Sequence, residues 1–228
     1  MEINRLLAAV VILFAAFIIY GWKKGFLRIV ISFAGTLIVL IAVIFVSPKV
    51  SEYIMKNTDL YEKTREKVTA AFVEKLTDKD TDTTEEDIKG LDVPDIMKND
   101  LIEKNATGMY QALLVSVFKE FVAGYLSRLV INAGSFVGVY IILTIAKWIL
   151  VKSSDIISRI PVIKGINSLF GACIGAMDAL IIVWVVFFII IMFLGEDIGG
   201  RLLASVQKSW FLTYLFNKNL LFRFISGR

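Results

Sequence analysis

The sequence predicts an all-α membrane protein with four transmembrane helices. Of its 228 residues, 57% are hydrophobic and only 20% are charged, and the mean hydropathy is +0.73. A soluble domain of this size would need more polar surface to cover itself. Apolar runs of about 20 residues, the length that crosses a ~30 Å hydrocarbon core, recur along the chain. An extramembrane helical insert between spans 2 and 3 and a C-terminal amphipathic helix complete the predicted fold.

The first two spans are predicted to form a transmembrane helical hairpin over residues 1–48. The first apolar run covers about residues 3–20 and ends at a turn that contains two consecutive lysines. A cleaved signal peptide would carry its positive charges before the apolar run, so we expect this helix to be retained. The second run covers about residues 26–46, and we expect Ser47 and Pro48 to end it.

Residues 49–128 are predicted to be the extramembrane insert. They contain 16 acidic and 12 basic residues, a formal charge of −4, which is too polar for a span. Apolar side chains recur at helical spacing between the charges, which indicates that the insert is partly amphipathic helix. The clearest examples are Tyr61, Val68 and Phe72.

The second membrane region is predicted over residues 129–194, with spans at about 129–151 and 166–194. Each span contains one charged residue within its apolar run. Residues 195–228 follow as a tail in which four apolar residues stand at roughly helical spacing with polar residues between them. These are Leu203, Val206, Trp210 and Tyr214. This pattern is typical of an amphipathic helix at the membrane interface.

Basic residues predict the orientation, because short positive loops face the cytoplasm. The short connections carry Lys23, Lys24 and Arg28 in the first case and Lys152, Arg159 and Lys164 in the second. The acidic insert lies between them, so both termini and residues 49–128 are expected outside the cytoplasm. The charge of the tail favours the opposite orientation, with the C-terminus in the cytoplasm, because the tail holds five basic and two acidic residues. We give the two short connections more weight.

Histidine, which many enzymes use, is missing from the sequence. The single cysteine of the chain, Cys173, lies within a predicted span. An intrachain disulfide is therefore excluded, and the commonest general base and metal ligand is absent. Basic residues flank apolar runs instead of forming a stripe, so nucleic acid is not an expected partner. We predict a protein that is not an enzyme and has no catalytic residues, cofactor or metal site.

Small residues recur at helical spacing in spans 3 and 4. Gly134 and Gly138 form a GxxxG motif in the third span, and Gly171 and Gly175 form another in the fourth. Such surfaces let helix backbones approach closely in lipid. We predict that the third and fourth helices pack directly through these glycines within one protomer. Self-association through the same surface is the alternative.

Two ionisable residues lie within the predicted spans. Asp178 lies 12 positions after Ile166, about 18 Å along the helix and near the midplane. Lys147 lies near the end of span 3, where its side chain can reach the headgroups. A buried Lys147 to Asp178 pair, or a proton or ion site at Asp178, is one interpretation. We favour the other, an acid kept neutral or hydrogen-bonded between helices, because one isolated carboxylate is a poor relay.

Three segments carry a family resemblance. The first is KKGFLRIVISFAGT, a basic glycine turn at Lys24, Gly25 and Phe26. The second is IPVIKGINSLFGACIGAMDAL, which leads into the last span and contains Pro161 and Asn167. The third is SWFLTYLFNKNLL in the tail, with Ser209, Tyr214 and Asn219. In these segments the chain resembles the colicin V production protein family, CvpA.

The resemblance implies a bacterial cytoplasmic-membrane protein tied to colicin V production or export, or more generally to envelope homeostasis. It brings no established biochemical activity. We therefore predict a non-enzymatic accessory or scaffold that uses its exposed insert and interfacial tail as contact surfaces. Expected partners are the lipid bilayer, envelope or secretion proteins, and a second copy of the chain. The alternative is a small transporter or channel that uses Asp178 and Lys147.

Overall fold

The computed structural model describes residues 4–73, 85–106, 115–153 and 166–227, and the regular structure within them is helical. The helices are α1 (Arg5–Lys24), α2 (Phe26–Asn57), α3 (Leu60–Val68), α4 (Glu85–Gly90), α5 (Asp95–Ala106), α6 (Val115–Ser153), α7 (Ile166–Met192), α8 (Asp197–Gln207), α9 (Trp210–Asn217) and α10 (Phe222–Ser226). A π-helical segment, Thr69–Val73, continues α3. The predictions for Pro161, Arg159 and Lys164 fall outside the described residues.

Four of the helices, α1, α2, α6 and α7, are long and apolar enough to cross a membrane. This confirms the predicted class, an all-α membrane protein with four transmembrane helices. Their sides carry exposed apolar residues at positions that lipid would cover, such as Ile38 on α2 and Ile142 on α6. Both α2 and α7 pack against each of the other three spans, and α7 makes the main contact with α1.

The second helix does not end at Ser47 and Pro48, as the sequence predicted, but runs 32 residues to Asn57. A proline inside a helix lacks one backbone donor, and a neighbouring helix can hold the chain in place despite that loss. Here the following turn is fixed by Ser51, which is buried and donates its hydroxyl hydrogen to the side chain of Asn132 on α6. Tertiary packing thus overrides the local stop signal.

The third long helix, α6, starts at Val115 and has 39 residues, well before the predicted start of span 3 at residue 129. Charged residues suggested that this stretch was not part of a span. In the structure Arg128 is exposed, whereas its neighbours Ser127 and Leu129 are buried. Residues 122–127 are all buried, so the insert and the tail enclose this first part of α6 and leave Arg128 exposed.

The tail is three short helices, whereas the sequence predicted one amphipathic helix. Ser209 caps α9, and its hydroxyl oxygen accepts a hydrogen bond from the backbone nitrogen of Leu212 at 3.4 Å, so a new helix begins there. The apolar side of the tail is buried in the common core of the protein. Its fully covered members include Leu203, Val206 and Phe216.

Helices α3–α5 belong to the insert and helices α8–α10 belong to the tail. We refer to these helices together as the cap, in which the insert contacts the tail. Lys67 and Glu196 form an ion pair between them. The Asn217 side chain accepts from the backbone nitrogen of Ile96 at 3.2 Å and donates to Asp95, also at 3.2 Å. These contacts make the insert and the tail neighbours on the same end of the four-helix bundle.

Candidate functional site

Three polar residues from three different spans meet inside the bundle, and we refer to them as the polar cluster. They are Thr36 on α2, Lys147 on α6 and Asp178 on α7. The Lys147 ammonium donates to the Thr36 hydroxyl at 3.1 Å. The Asp178 carboxyl interacts with the same hydroxyl and with the charge of Lys147. Thr36 is 6% exposed and Asp178 is 7% exposed, so both residues are buried inside the bundle.

The packing of α2 against α6 positions Lys147. A Cβ atom at Gly35 would lie 3.2 Å from Cδ of Lys147, so this glycine leaves the room that the aliphatic stem occupies. Thr36 on α2 contacts Lys147 on α6. Fifteen residues later on α2, Ser51 contacts Asn132, which lies 15 residues before Lys147 on α6. The two helices are therefore antiparallel, and a polar contact pins each end of their shared surface.

A hydroxyl group between an ammonium and a carboxyl group can serve both, because it accepts from one and can donate to the other. The Thr36 hydroxyl also lies 3.3 Å from the backbone carbonyl of Ser32, a second acceptor for its single hydrogen. The cluster can therefore hold a proton or stabilise the charge pair. Within the described ranges there is no group of three or more histidine, cysteine or acidic residues that could hold a metal ion.

The sequence identified Lys147 and Asp178 but missed Thr36. Thr36 stands in a long apolar run next to Gly35, and one threonine in a span is common and can bond its own helix. The signal was the polar pair Ser32 and Thr36, one turn apart on the second span.

The glycines of the fourth span contact the first helix, so the prediction that they join the third and fourth helices is wrong for Gly171 and Gly175. A Cβ atom at Gly171 would overlap the carbonyl oxygen of Gly21, and one at Gly175 would overlap that of Phe17. We refer to Gly21, Gly171 and Gly175 as the glycine seam. The sequence signal was present, because Gly21 and Gly25 themselves stand four residues apart at the end of α1.

The glycines of the third span have different surroundings. Gly134 faces the side chain of Met192 on α7, with a Cβ atom there 3.4 Å from Cγ, which is ordinary contact. A Cβ atom at Gly138 would meet nothing within 4 Å, and this residue is exposed. A GxxxG motif allows the backbone of another helix to approach closely. Here only the motif of the fourth span has another backbone that close, and the motif of the third span does not.

The turn between α1 and α2 docks on the start of α7. Gly25 has φ +76°, a conformation that favours glycine, and a Cβ atom there would lie 2.7 Å from the amide nitrogen of Asn167. The rings of Phe26 and Phe170 are 5.8 Å apart in an edge-to-face arrangement. The ammonium of Lys24 lies 4.4 Å from the ring centre of Tyr20 on the same helix. The turn motif at residues 24–26 and the motif that leads into the last span thus pack against each other.

The tail motif borders a groove in the cap. The amide of Asn219 donates to the backbone carbonyl of Trp184 at 3.2 Å, and its oxygen accepts from the backbone nitrogen of Leu221 at 3.0 Å. Tyr214 is half exposed and stacks on Trp210, with ring centres 5.8 Å apart. A cavity of about 730 Å³ between α5 and the tail, the tail groove, is lined by Asp95, Trp210, Tyr214, Asn217 and Asn219 among others.

A comparison with protein families finds that the model of the colicin V production protein matches residues 106–219, half of the chain. The chain belongs to the colicin V production protein family. No curated protein and no solved structure gives a significant match. The matched part of this family member contains the glycine seam residues of α7, the acid of the polar cluster and the tail motif.

Within the colicin V production domain, Asn167, Ser209, Tyr214 and Asn219 all lie inside the matched range. The turn motif at residues 24–26 lies before it but packs on its surface at Asn167, as described above. The family match therefore covers α6 to α9, and α1 packs against the matched part through the glycine seam.

We predict that the seam depends on the absence of side chains. Gly171→Val and Gly175→Val should each lower the stability of the protein by about 1–3 kcal/mol or more, because the new side chain must displace backbone atoms of α1. Thermal unfolding in detergent measures this. Gly138→Val, which adds the same side chain where nothing lies within 4 Å, is the matched control. Equal unfolding temperatures for all three variants would show that the seam is not a tight contact.

We also predict that the polar cluster is energetically coupled. Asp178→Asn and Lys147→Met should each cost roughly 1–3 kcal/mol, because each leaves a buried polar partner poorly satisfied. The double variant should cost less than the sum of the two single variants. Unfolding of all four proteins in the same detergent gives the coupling free energy. Strict additivity would mean that the two side chains do not interact.

Proposed function

We propose that this family member is a non-enzymatic accessory or scaffold in the bacterial cytoplasmic membrane, acting in toxin production or export or in envelope homeostasis. The family description supports the link with colicin V production. The absence of histidine and the use of the cluster's acid in an interhelical contact favour a role without catalysis. Both termini and residues 49–128 would lie outside the cytoplasm, as the basic turn at Lys23 and Lys24 favours.

The observation that carries the proposal is the tail groove. Its wall presents exposed aromatic side chains, with Trp210 79% exposed and Tyr214 50% exposed. Polar groups of Asp95 and Asn217 line the same cavity. Exposed aromatic residues beside polar ones are typical of protein contact surfaces. A protein of the envelope or of a secretion system is the partner that we propose for this surface.

Crosslinking in intact bacteria, followed by affinity purification and mass spectrometry, tests the accessory role. Trp210→Ala and Tyr214→Ala should weaken binding of the partner about 30-fold and lower its recovery accordingly, because aromatic residues at the centre of an interface contribute about 2 kcal/mol or more. Point variants are preferable to removing residues 49–128, since that deletion would take away Leu126 and Val122 of the buried core.

The matched control is Tyr53→Ala, which removes an aromatic side chain of similar exposure, 68%, from α2 outside the groove. Loss of recovery in the groove variants but not in this control supports the proposal. Equal recovery in all variants contradicts it. Recovery of the chain alone would favour a homo-oligomer, for which the exposed face around Gly138 offers close approach.

The polar cluster favours a second candidate, a small transporter or channel. Ionisable residues within spans often mark ion or proton pathways, and here three helices contribute to one such group. Reconstituted vesicles with a pH-sensitive or ion-sensitive dye would detect flux. Asp178→Asn should abolish the flux, whereas Ser135→Ala, which removes a buried hydroxyl elsewhere on α6, should preserve it. Equal flux in empty vesicles and in vesicles with the protein would contradict this candidate.

A further inference from the structure

Another cavity in the cap, of about 570 Å³, lies apart from the polar cluster and shares only Ser226 of its lining with the tail groove. Arg65 of α3, Lys104 of α5, Arg128 of α6 and Ser226 of α10 line it. The wall also contains Glu120, so three cations and one anion face the same space. The excess of positive charge distinguishes this cavity from the tail groove.

One of these cations is already neutralised inside the protein. The ammonium of Lys104 lies 3.0 Å from the buried carboxylate of Asp100 and donates to the backbone carbonyl of Ser226. The ammonium is also 4.9 Å from the ring centre of Tyr125, whose hydroxyl donates to the same Asp100 at 2.8 Å. Lys104 is thus a fixed part of the wall, and its charge is balanced.

The two arginines are in a different situation. Within residues 4–73, 85–106, 115–153 and 166–227, neither guanidinium, of Arg65 or of Arg128, has a hydrogen-bond or ion-pair partner. A guanidinium presents several N–H donors in a planar fork that matches phosphate oxygens. Two such forks on one cavity of this size form a site for a phosphate group with a substituent attached.

The depth of the cavity agrees with a phosphate at the membrane surface. Trp148 is exposed near one end of α6, where aromatic residues mark the headgroup layer. Arg128 precedes it by 20 residues on the same unbroken helix, which is about 30 Å. That distance equals the thickness of the hydrocarbon core, so Arg128 reaches the opposite layer of headgroups.

We propose that this cavity binds a phosphate group, carried either by an anionic phospholipid headgroup or by a free phosphorylated solute. Arg65 and Arg128 hold the phosphate oxygens, and the neutralised Lys104 with the ring of Tyr125 forms the rear wall. The apolar side chains of Leu129 and Ile225 continue the lining. The site is independent of the accessory role, since it requires neither the tail groove nor a protein partner.

The test uses the full chain in neutral detergent. Native mass spectrometry measures binding of phosphatidylglycerol, with zwitterionic phosphatidylcholine as comparison, and calorimetry measures binding of inorganic phosphate. The double variant Arg65→Gln with Arg128→Gln should bind at least about tenfold more weakly, because each lost charged hydrogen bond costs a factor of this order. Arg128→Lys, which keeps the charge but loses the fork, should give an intermediate affinity.

The matched control is Arg5→Gln with Arg201→Gln, which removes two positive charges from exposed positions that line neither this cavity nor the tail groove. Its affinity should stay within about twofold of the original chain. Unfolding temperatures establish that every variant is folded. Loss of phosphatidylglycerol binding alone assigns a headgroup site, and loss of inorganic phosphate binding as well assigns a site open to solutes. Binding of neither probe, or equal binding by both double variants, overturns the proposal.

Discussion

The close approach of α1 to α7 is the contact on which the position of the first helix depends. Lipid offers no hydrophobic drive between helices, so packing at short distance must hold them together. At Gly21, Gly171 and Gly175 the two backbones touch without intervening side chains. The α1 helix packs mainly against α7 and makes few contacts with α2, although the turn at Gly25 joins these two helices directly. The seam therefore sets where the turn docks and where the N-terminus of the helix emerges.

A second set of contacts joins the membrane region to the cap. Helices α2 and α6 are longer than a bilayer requires, and polar contacts pin them at Thr36 and Ser51. The far end of α6 is buried among the insert and the tail. At the start of α1, the Asn4 amide donates to the backbone carbonyl of Ser205 at 2.6 Å. The cap thus contacts all four spans, which hold the walls of the two cavities described above.

Spans were predictable from the sequence because length and hydropathy are local properties. The ends of the helices were harder to predict from the sequence. Contacts from distant parts of the chain decide that α2 continues past Pro48 and that α6 begins before residue 129. A small-residue motif indicates that close packing is available but does not name the partner, so Gly171 was assigned to the wrong helix. Thr36 was missed because its role arises only when two other helices bring charges to it.

The position of the seam has a consequence for biosynthesis. Gly171 follows Gly21 by 150 positions, so a ribosome adding roughly 5–20 residues per second completes the partner of α1 about 8–30 s after α1 itself. The first helix can wait in the bilayer, because its backbone polar groups are satisfied within the helix. Its bare glycine surface stays open until translation reaches the fourth span. Chains truncated before that point would carry an unpaired helix face, which the quality control of the membrane can recognise.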